Sequence, residues 1–109
     1  KLKSSISSRI RTGIKSKGFC KKFKTKIILV CTYEDFKLHL EVKFEPWMNW
    51  SNYGNWNNKD KNSSWDLDHI IPIFSAKTEQ EVIKLNHFTN FQPLCSFVNR
   101  FIKKEKIQE

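Results

Sequence analysis

The stretch Trp65-Asp66-Leu67-Asp68-His69-Ile70-Ile71-Pro72 decides how the rest of this chain is interpreted. It places a carboxylate next to an imidazole at the end of a short apolar run. Two asparagines follow: Asn90, 21 residues after His69, and Asn99, 9 residues further on. A strand, a loop and a helix that fold back on one another would bring these side chains together. Asp, His and Asn can jointly hold a hard divalent cation and activate a water molecule beside it.

Three blocks of sequence, in this order, resemble the HNH endonucleases, whose site is a ββα-metal fold. The blocks are Asp68-His69-Ile70-Ile71-Pro72, then Leu85-Asn86-His87-Phe88-Thr89-Asn90-Phe91-Gln92-Pro93-Leu94, then Asn99. The chain is most similar to the small HNH proteins of phages, and the resemblance extends upstream through residues 29–54. This resemblance implies an enzyme that hydrolyses phosphodiester bonds at one active site.

The resemblance also implies a role for each site residue. His69 is the general base, and Asn90 fixes the orientation of its ring through a side chain or a backbone carbonyl. Asp68 and Asn99 bind one Mg²⁺ or Mn²⁺ ion through oxygen. Asp66 shares a strand face with Asp68. Asp66 could support the metal ligands, but we favour its interpretation as a solvated surface residue. His87 is interpreted as structural, and the residues after Asn99 depart from the N-x-x-K-G pattern of the family.

Positive charge is concentrated in residues 1–26, which hold ten of the twenty basic residues and no acid, while the net charge of the chain is +9. Such a block suits phosphate neutralisation and predicts double-stranded DNA, contacted through its backbone, as the partner. The alternative is that the many lysines reflect the base composition of an AT-rich gene. In that case the N-terminal helix packs on the core and its basic outer face only contacts solvent. The candidate phosphate contacts are Arg9, Arg11, Lys15, Arg100, Lys103 and Lys104.

A length of 109 residues indicates one domain, made of a basic N-terminal helix or arm (1–26) and a ββα core (65–104). Three cysteines without a C-x-x-C pair argue against a disulfide framework and a structural zinc, and favour a reducing, intracellular compartment. Viral, organellar and bacterial contexts stay open. The longest apolar run is too short for a membrane span. We expect a monomer or weak homodimer, and the missing initial Met is compatible with a module of a longer protein.

The predicted fold is α+β and mostly helical, with two short antiparallel strands and a C-terminal helix. Apolar residues spaced by four predict a first helix that ends near Gly18, and residues 24–31 are favoured as a helix over a strand. Thr32 is expected to cap a helix that runs to about Phe44. The aromatic segment 47–53 is interpreted as a lid over the core rather than a base-stacking surface. Strands are predicted at 65–69 and 89–92, a Thr78-capped helix between them, and a last helix from Pro93.

The function expected from these features is that of a metal-dependent DNA endonuclease or nickase with weak sequence specificity. One such site cuts one strand, so a double-strand break would need a dimer or two visits. The alternative is a catalytically silent DNA-binding module of a larger DNA-processing protein, for example one of the MutS-like mismatch-repair type.

Overall fold

The structure is a computed structural model that describes residues 2–56 and 63–103. In these residues four α-helices, two β-strands and a final π-helix form, which confirms the predicted α+β, mostly helical class. Segment 55–64 is rich in Asn, Lys and Ser, a composition that predicts a loop, and it lies largely outside the described residues. The elements are α1 Leu2–Ser16, α2 Thr25–Leu29, α3 Tyr33–Val42, β1 Trp65–His69, α4 Glu79–Lys84, β2 Phe91–Cys95 and the π-helix Val98–Lys103.

The first helix, α1, forms as its apolar spacing predicts. Ile6, Ile10 and Ile14 occupy one face and are all buried, because residues four apart lie on the same side of a helix. The chain turns away at Gly18, whose φ of +86° is a left-handed conformation that glycine adopts without a steric penalty. The helix is therefore docked on the core, with most of its basic residues on the outer face.

Residues 24–31 contain a short helix, α2, so the preference for a helix over a strand is confirmed. It buries Ile28 and Leu29 and ends at Val30, which takes a φ of +64°. The predicted N-cap of the following helix is also confirmed, since Thr32 Oγ1 accepts a hydrogen bond of 3.1 Å from the backbone N–H of Asp35.

Helix α3 ends at Val42 instead of the predicted Phe44. The side chain of Val42 is left in solvent, whereas Phe44 leaves the helical path and packs against Trp65 with ring centroids 5.0 Å apart. The burial of an aromatic ring outweighs two further residues of helix, because a large ring removes far more apolar surface from water.

Trp65, at the start of β1, is the centre of the core and is fully buried. The rings of Trp50 and Tyr53 lie 5.3 and 4.5 Å from it, and its indole N–H donates to the Asn49 carbonyl oxygen at 2.7 Å. The aromatic segment 47–53 therefore covers the core, as predicted. This packing fixes the position of β1, from which the site is built.

The two strands pair antiparallel, with Leu67 opposite Pro93 and Asp68 opposite Gln92. The prediction of a second strand over 89–92 and of a helix beginning at Pro93 is wrong, because β2 runs Phe91–Cys95 and contains the proline. Both strands of a two-stranded sheet are edges, and an edge strand tolerates a residue that lacks an N–H group. Residues 88–90 form a 3₁₀ turn instead.

Helix α4 begins where its sequence predicts, because Thr78 Oγ1 accepts a hydrogen bond of 3.1 Å from the Glu81 N–H. It buries Val82 against the core. The last element is a π-helix, a rare form that is often found at functional sites. None of the helices in the two described ranges combines the length and apolar character needed to cross a membrane.

Candidate active site

Strand β1 presents two buried carboxylates to the π-helix. Asp66 and Asp68 are only 8% and 6% exposed, and they share one face because alternate residues of a strand point the same way. The interpretation of Asp66 as a solvated surface residue is therefore wrong. A buried carboxylate is costly unless it is paired and hydrogen-bonded, so the neighbours of both residues matter.

Asp66 is neutralised by Arg100 and also holds Asn99. The Nε and Nη2 atoms of Arg100 lie 3.1 and 3.3 Å from the two carboxylate oxygens, a two-pronged contact that is among the stronger ion pairs. The Asn99 amide nitrogen donates to the same carboxylate at 3.3 Å. Asn99 thus projects toward β1, as predicted, while Arg100 already has a carboxylate partner.

Asp68 has a cation beside it as well. The Lys103 ammonium lies 2.5 Å from Asp68 Oδ2 and 2.5 Å from the backbone oxygen of His69. Gln92 Nε2 donates to the same carboxylate oxygen at 2.8 Å. Lys103, predicted from the sequence as a phosphate contact, therefore lies within the site and not on the outer surface.

The ring of His69 is held by Asn86. Its Nε2 lies 2.8 Å from Asn86 Oδ1, while the amide nitrogen of Asn86 donates to the Val82 carbonyl oxygen at 3.0 Å. Because the Asn86 oxygen can only accept, the Nε2 of neutral His69 carries the proton and Nδ1 carries the lone pair. The ring also packs on Phe91, with centroids 4.4 Å apart.

Burial lowers the pKa of His69 to about 4, against an ordinary value of 6.5. The hydrogen bond with Asn86 and the charge of Asp68 raise this pKa, whereas the charges of Arg9 and Lys103 lower it further. The imidazole is consequently neutral at pH 7, which is the form that can accept a proton.

Asn90 contacts the two residues that follow His69 but makes no hydrogen bond to the His69 ring. Its side-chain oxygen accepts a hydrogen bond from the Ile71 N–H at 2.8 Å, and its side-chain nitrogen donates to the backbone oxygens of Ile71 and Leu85 at 3.0 and 2.7 Å. Its backbone oxygen accepts a hydrogen bond from the Ile70 N–H at 2.8 Å. The predicted role of orienting the His69 ring is wrong in this respect: Asn86 makes that contact. Asn90 instead fixes the backbone that directly follows His69.

Asp68, His69 and Asn99 line one cavity of about 220 Å³, together with Lys103 and Arg9. The guanidinium of Arg9 donates to the backbone oxygen of Leu67, and it also borders an adjoining groove that reaches His69 along α1. A residue of the basic N-terminal segment, predicted as a DNA contact, therefore forms part of the wall of the site.

The donor set of this cavity fits a hard divalent cation. Asp68 offers a carboxylate and Asn99 an amide group, and the ammonium on Asp68 shows that a cation is accommodated at this carboxylate. Across residues 2–56 and 63–103, this cavity included, no group of three or more His, Cys, Asp or Glu side chains could hold a metal. Two oxygen ligands with the other positions left to water and phosphate suit Mg²⁺, which keeps several waters.

The other predicted residues lie outside the cavity. Arg11 and Lys15 are exposed on α1, and Lys104 lies outside the described residues. The interpretation of His87 as structural stays a prediction; its Nδ1 accepts a hydrogen bond of 3.2 Å from the backbone N–H of Thr89. The sequence analysis did not predict that Asn86 contacts His69, because its local sequence does not distinguish an asparagine with a buried side chain from one in a surface turn. The available signal is its position four residues after Val82, which is the spacing of residues on one helix face.

Comparison with known proteins finds a similarity to a viral protein. The chain is 32% identical over 74 residues to an uncharacterized protein of Acanthamoeba polyphaga mimivirus, a match that covers 66% of this chain and 29% of that protein. The chain thus spans less than a third of the length of this relative. No family model matches the sequence. No solved structure matches it either.

Proposed function

We propose that this domain is a metal-dependent DNA endonuclease or nickase of the HNH type. One observation carries the proposal: the carboxylate of Asp68 and the neutral imidazole of His69, which are adjacent in sequence, line a single small cavity between β1 and the π-helix together with the amide of the distant residue Asn99. A cleft that gathers a base with a perturbed pKa and oxygen ligands is the arrangement that metal-assisted hydrolysis needs.

In the proposed reaction, His69 accepts a proton at Nδ1 from the water molecule that attacks phosphorus. Asn86 keeps the ring in the required tautomer because its Oδ1 accepts a hydrogen bond from Nε2–H, so that the lone pair is on Nδ1. The low pKa keeps His69 neutral at pH 7. Arg9 and Lys103 are the positive groups in the cavity wall, and they would attract the phosphate that is cut.

Asp68 and Asn99 would hold one Mg²⁺ or Mn²⁺ ion, which when bound supplies stabilisation of the charge that develops on phosphate and on the leaving 3′-oxygen. Asp66 supports this arrangement because it holds the Asn99 amide nitrogen, while Arg100 keeps Asp66 paired. The exposed residues Arg11 and Lys15 would contact the duplex backbone without reading its sequence.

The test is a supercoiled-plasmid assay with Mg²⁺ or Mn²⁺. We expect open circles with the wild-type protein and none with EDTA or with His69→Ala. The matched control is His87→Ala, which removes a histidine that only caps a turn and should leave nicking unchanged. Equal nicking by the wild type and the His69→Ala variant would refute the assigned base, and early linear product would indicate a dimer.

A second candidate is a DNA-binding module that does not cut, within a larger DNA-processing protein. The contact that favours it is the Lys103 ammonium on Asp68, since a cation at the carboxylate competes with a metal ion for the same oxygen. A plasmid that is retarded on a gel by the wild-type protein but never nicked, even at high Mn²⁺, would select this candidate over the nuclease.

A further inference from the structure

We propose that a second cavity, which shares no lining residue with the candidate active site, binds a phosphate group. It has a volume of about 450 Å³ and is bordered by the lysines of residues 3, 21, 24 and 26, by Thr25 and by Tyr33. We name it the lysine cavity. Nothing in the nuclease proposal uses it, and it would bind phosphate whether or not the domain cuts DNA.

The charge of the lysine cavity is strongly unbalanced. Four ammonium groups border it, and Glu34 is the carboxylate that shares the lining. Lys3 lies over the ring of Tyr33, with its ammonium 5.1 Å from the ring centroid, so this lysine is placed by a cation–π contact and not by an acid. A concave surface with several positive charges against one negative charge attracts anions.

The ammonium of Lys21 is positioned by hydroxyl groups. Its ammonium lies 2.9 Å from Thr25 Oγ1 and 3.4 Å from Ser7 Oγ, and Thr25, which is buried, donates in turn to Ser7 at 2.9 Å. In the described part of the chain this ammonium bonds hydroxyl oxygens and forms no ion pair. Partial burial, and then the charge of Arg11, lower the pKa of Lys21.

The lysine cavity and the active site lie on opposite sides of α1. Ser7 contacts Lys21 of the lysine cavity, whereas Arg9 lines the active-site cavity, and a separation of two residues turns the side chain by about 200° on an α-helix. A phosphate in the lysine cavity is therefore not the one next to His69. It would be either a backbone phosphate of duplex DNA away from the cut or a free phosphate ion.

Phosphate has the chemistry that these groups recognise. Ammonium and hydroxyl groups donate hydrogen bonds to its oxygens, and each lysine that neutralises a DNA phosphate contributes about one unit to the salt dependence of binding. The exposed residues Lys24 and Lys26 suit the test, since the described structure gives neither side chain a hydrogen bond or an ion pair whose loss would unfold the protein.

Two measurements in EDTA, with no cleavage, test the proposal. The first follows backbone amide NMR signals of residues 21–34 during titration with inorganic phosphate. The second measures the affinity for a labelled duplex against salt concentration. The variants are Lys24→Met/Lys26→Met and, as a control with the same loss of charge at exposed positions elsewhere, Lys43→Met/Lys77→Met.

We expect phosphate to shift the signals of the cavity in the wild type and not in the Lys24→Met/Lys26→Met variant. We expect this variant to bind duplex roughly tenfold more weakly, with a salt dependence shallower by about two, while the control changes little. Phosphate shifts with equal duplex affinities of the two variants would identify free phosphate as the ligand. No phosphate shift together with equal duplex affinities would overturn the proposal.

Discussion

Two charged regions of the molecule are organised in opposite ways. On the face of β1, each buried carboxylate has a cation of the π-helix beside it: Asp66 with Arg100 at 3.1 Å and Asp68 with Lys103 at 2.5 Å. In the lysine cavity, the ammonium of Lys21 bonds hydroxyl groups. Charges paired inside a fold depend on each other, because removing one leaves the other buried without a partner, whereas charges without a counter-charge remain available to a partner.

The largest expected effect comes from breaking the ion pair between Asp68 and Lys103. In Lys103→Met the side chain of Asp68, which is 7% exposed, keeps Gln92 as its remaining side-chain donor. We expect a loss of about 3–5 kcal/mol in the free energy of unfolding, because a buried charge that loses its partner is strongly destabilising. Urea denaturation measures it.

The double variant Asp68→Asn/Lys103→Met should recover most of that loss, because it removes both charges. Added Mg²⁺ should stabilise Lys103→Met more than the wild type, since the metal no longer competes with an ammonium for Asp68. A single variant as stable as the wild type would show that the pair contributes nothing in solution.

Acidification should weaken the fold through His69. Its pKa is about 4 in the folded protein and near 6.5 in the unfolded chain, so between these values the unfolded chain binds more protons and stability falls as the pH falls. Above pH 6.5 His69 is neutral in both states and the fold keeps its full stability. On reaching pH 4, about 2–3 kcal/mol of the free energy of unfolding is lost. We expect His69→Gln to show a shallower dependence over this window in denaturation experiments; parallel curves would contradict the low pKa.

A smaller effect is expected from Asn86→Ala. This fully buried side chain bonds both His69 and the Val82 oxygen, so its removal leaves two groups unsatisfied and should cost about 1–3 kcal/mol. The specific readout is ¹⁵N NMR of the His69 ring, which should show the Nε2–H tautomer in the wild type and a mixture in the variant. The His87 ring serves as the internal control, and an unchanged His69 tautomer would remove Asn86 from the mechanism.

The smallest effect is expected at the surface pair Lys22–Glu79, whose atoms lie 3.3 Å apart with side chains 63% and 33% exposed. Lys22→Met should change the free energy of unfolding by less than about 1 kcal/mol, because solvent screens exposed pairs. It removes the same kind of charge as Lys103→Met, so the difference between the two losses measures how much burial contributes. Equal losses would contradict the contrast between paired buried charges and exposed ones.

The candidate site was predictable in part. Asp68, His69 and Asn99 meet at one cavity, because their spacing suits a strand and a helix that pack together. The assignment of Asn90 to the His69 ring failed, since Asn86 and Asn90 are four residues apart and both are buried. Which of two such asparagines reaches the ring depends on how the 3₁₀ turn at 88–90 rotates the chain, and that rotation is not encoded in the spacing.

The sequence by itself determined the elements whose signals are local: the isoleucine face of α1, the threonine caps of α3 and α4, and β1 from Trp65 to His69. Only the tertiary structure decided that Asp66 is buried, that Lys103 lies on Asp68, and that β2 contains Pro93. Local signals act through hydrogen bonds and faces within a few residues, so they can be read along the chain. Ion pairs between β1 and the π-helix join residues more than thirty positions apart, and they exist only once both elements have packed.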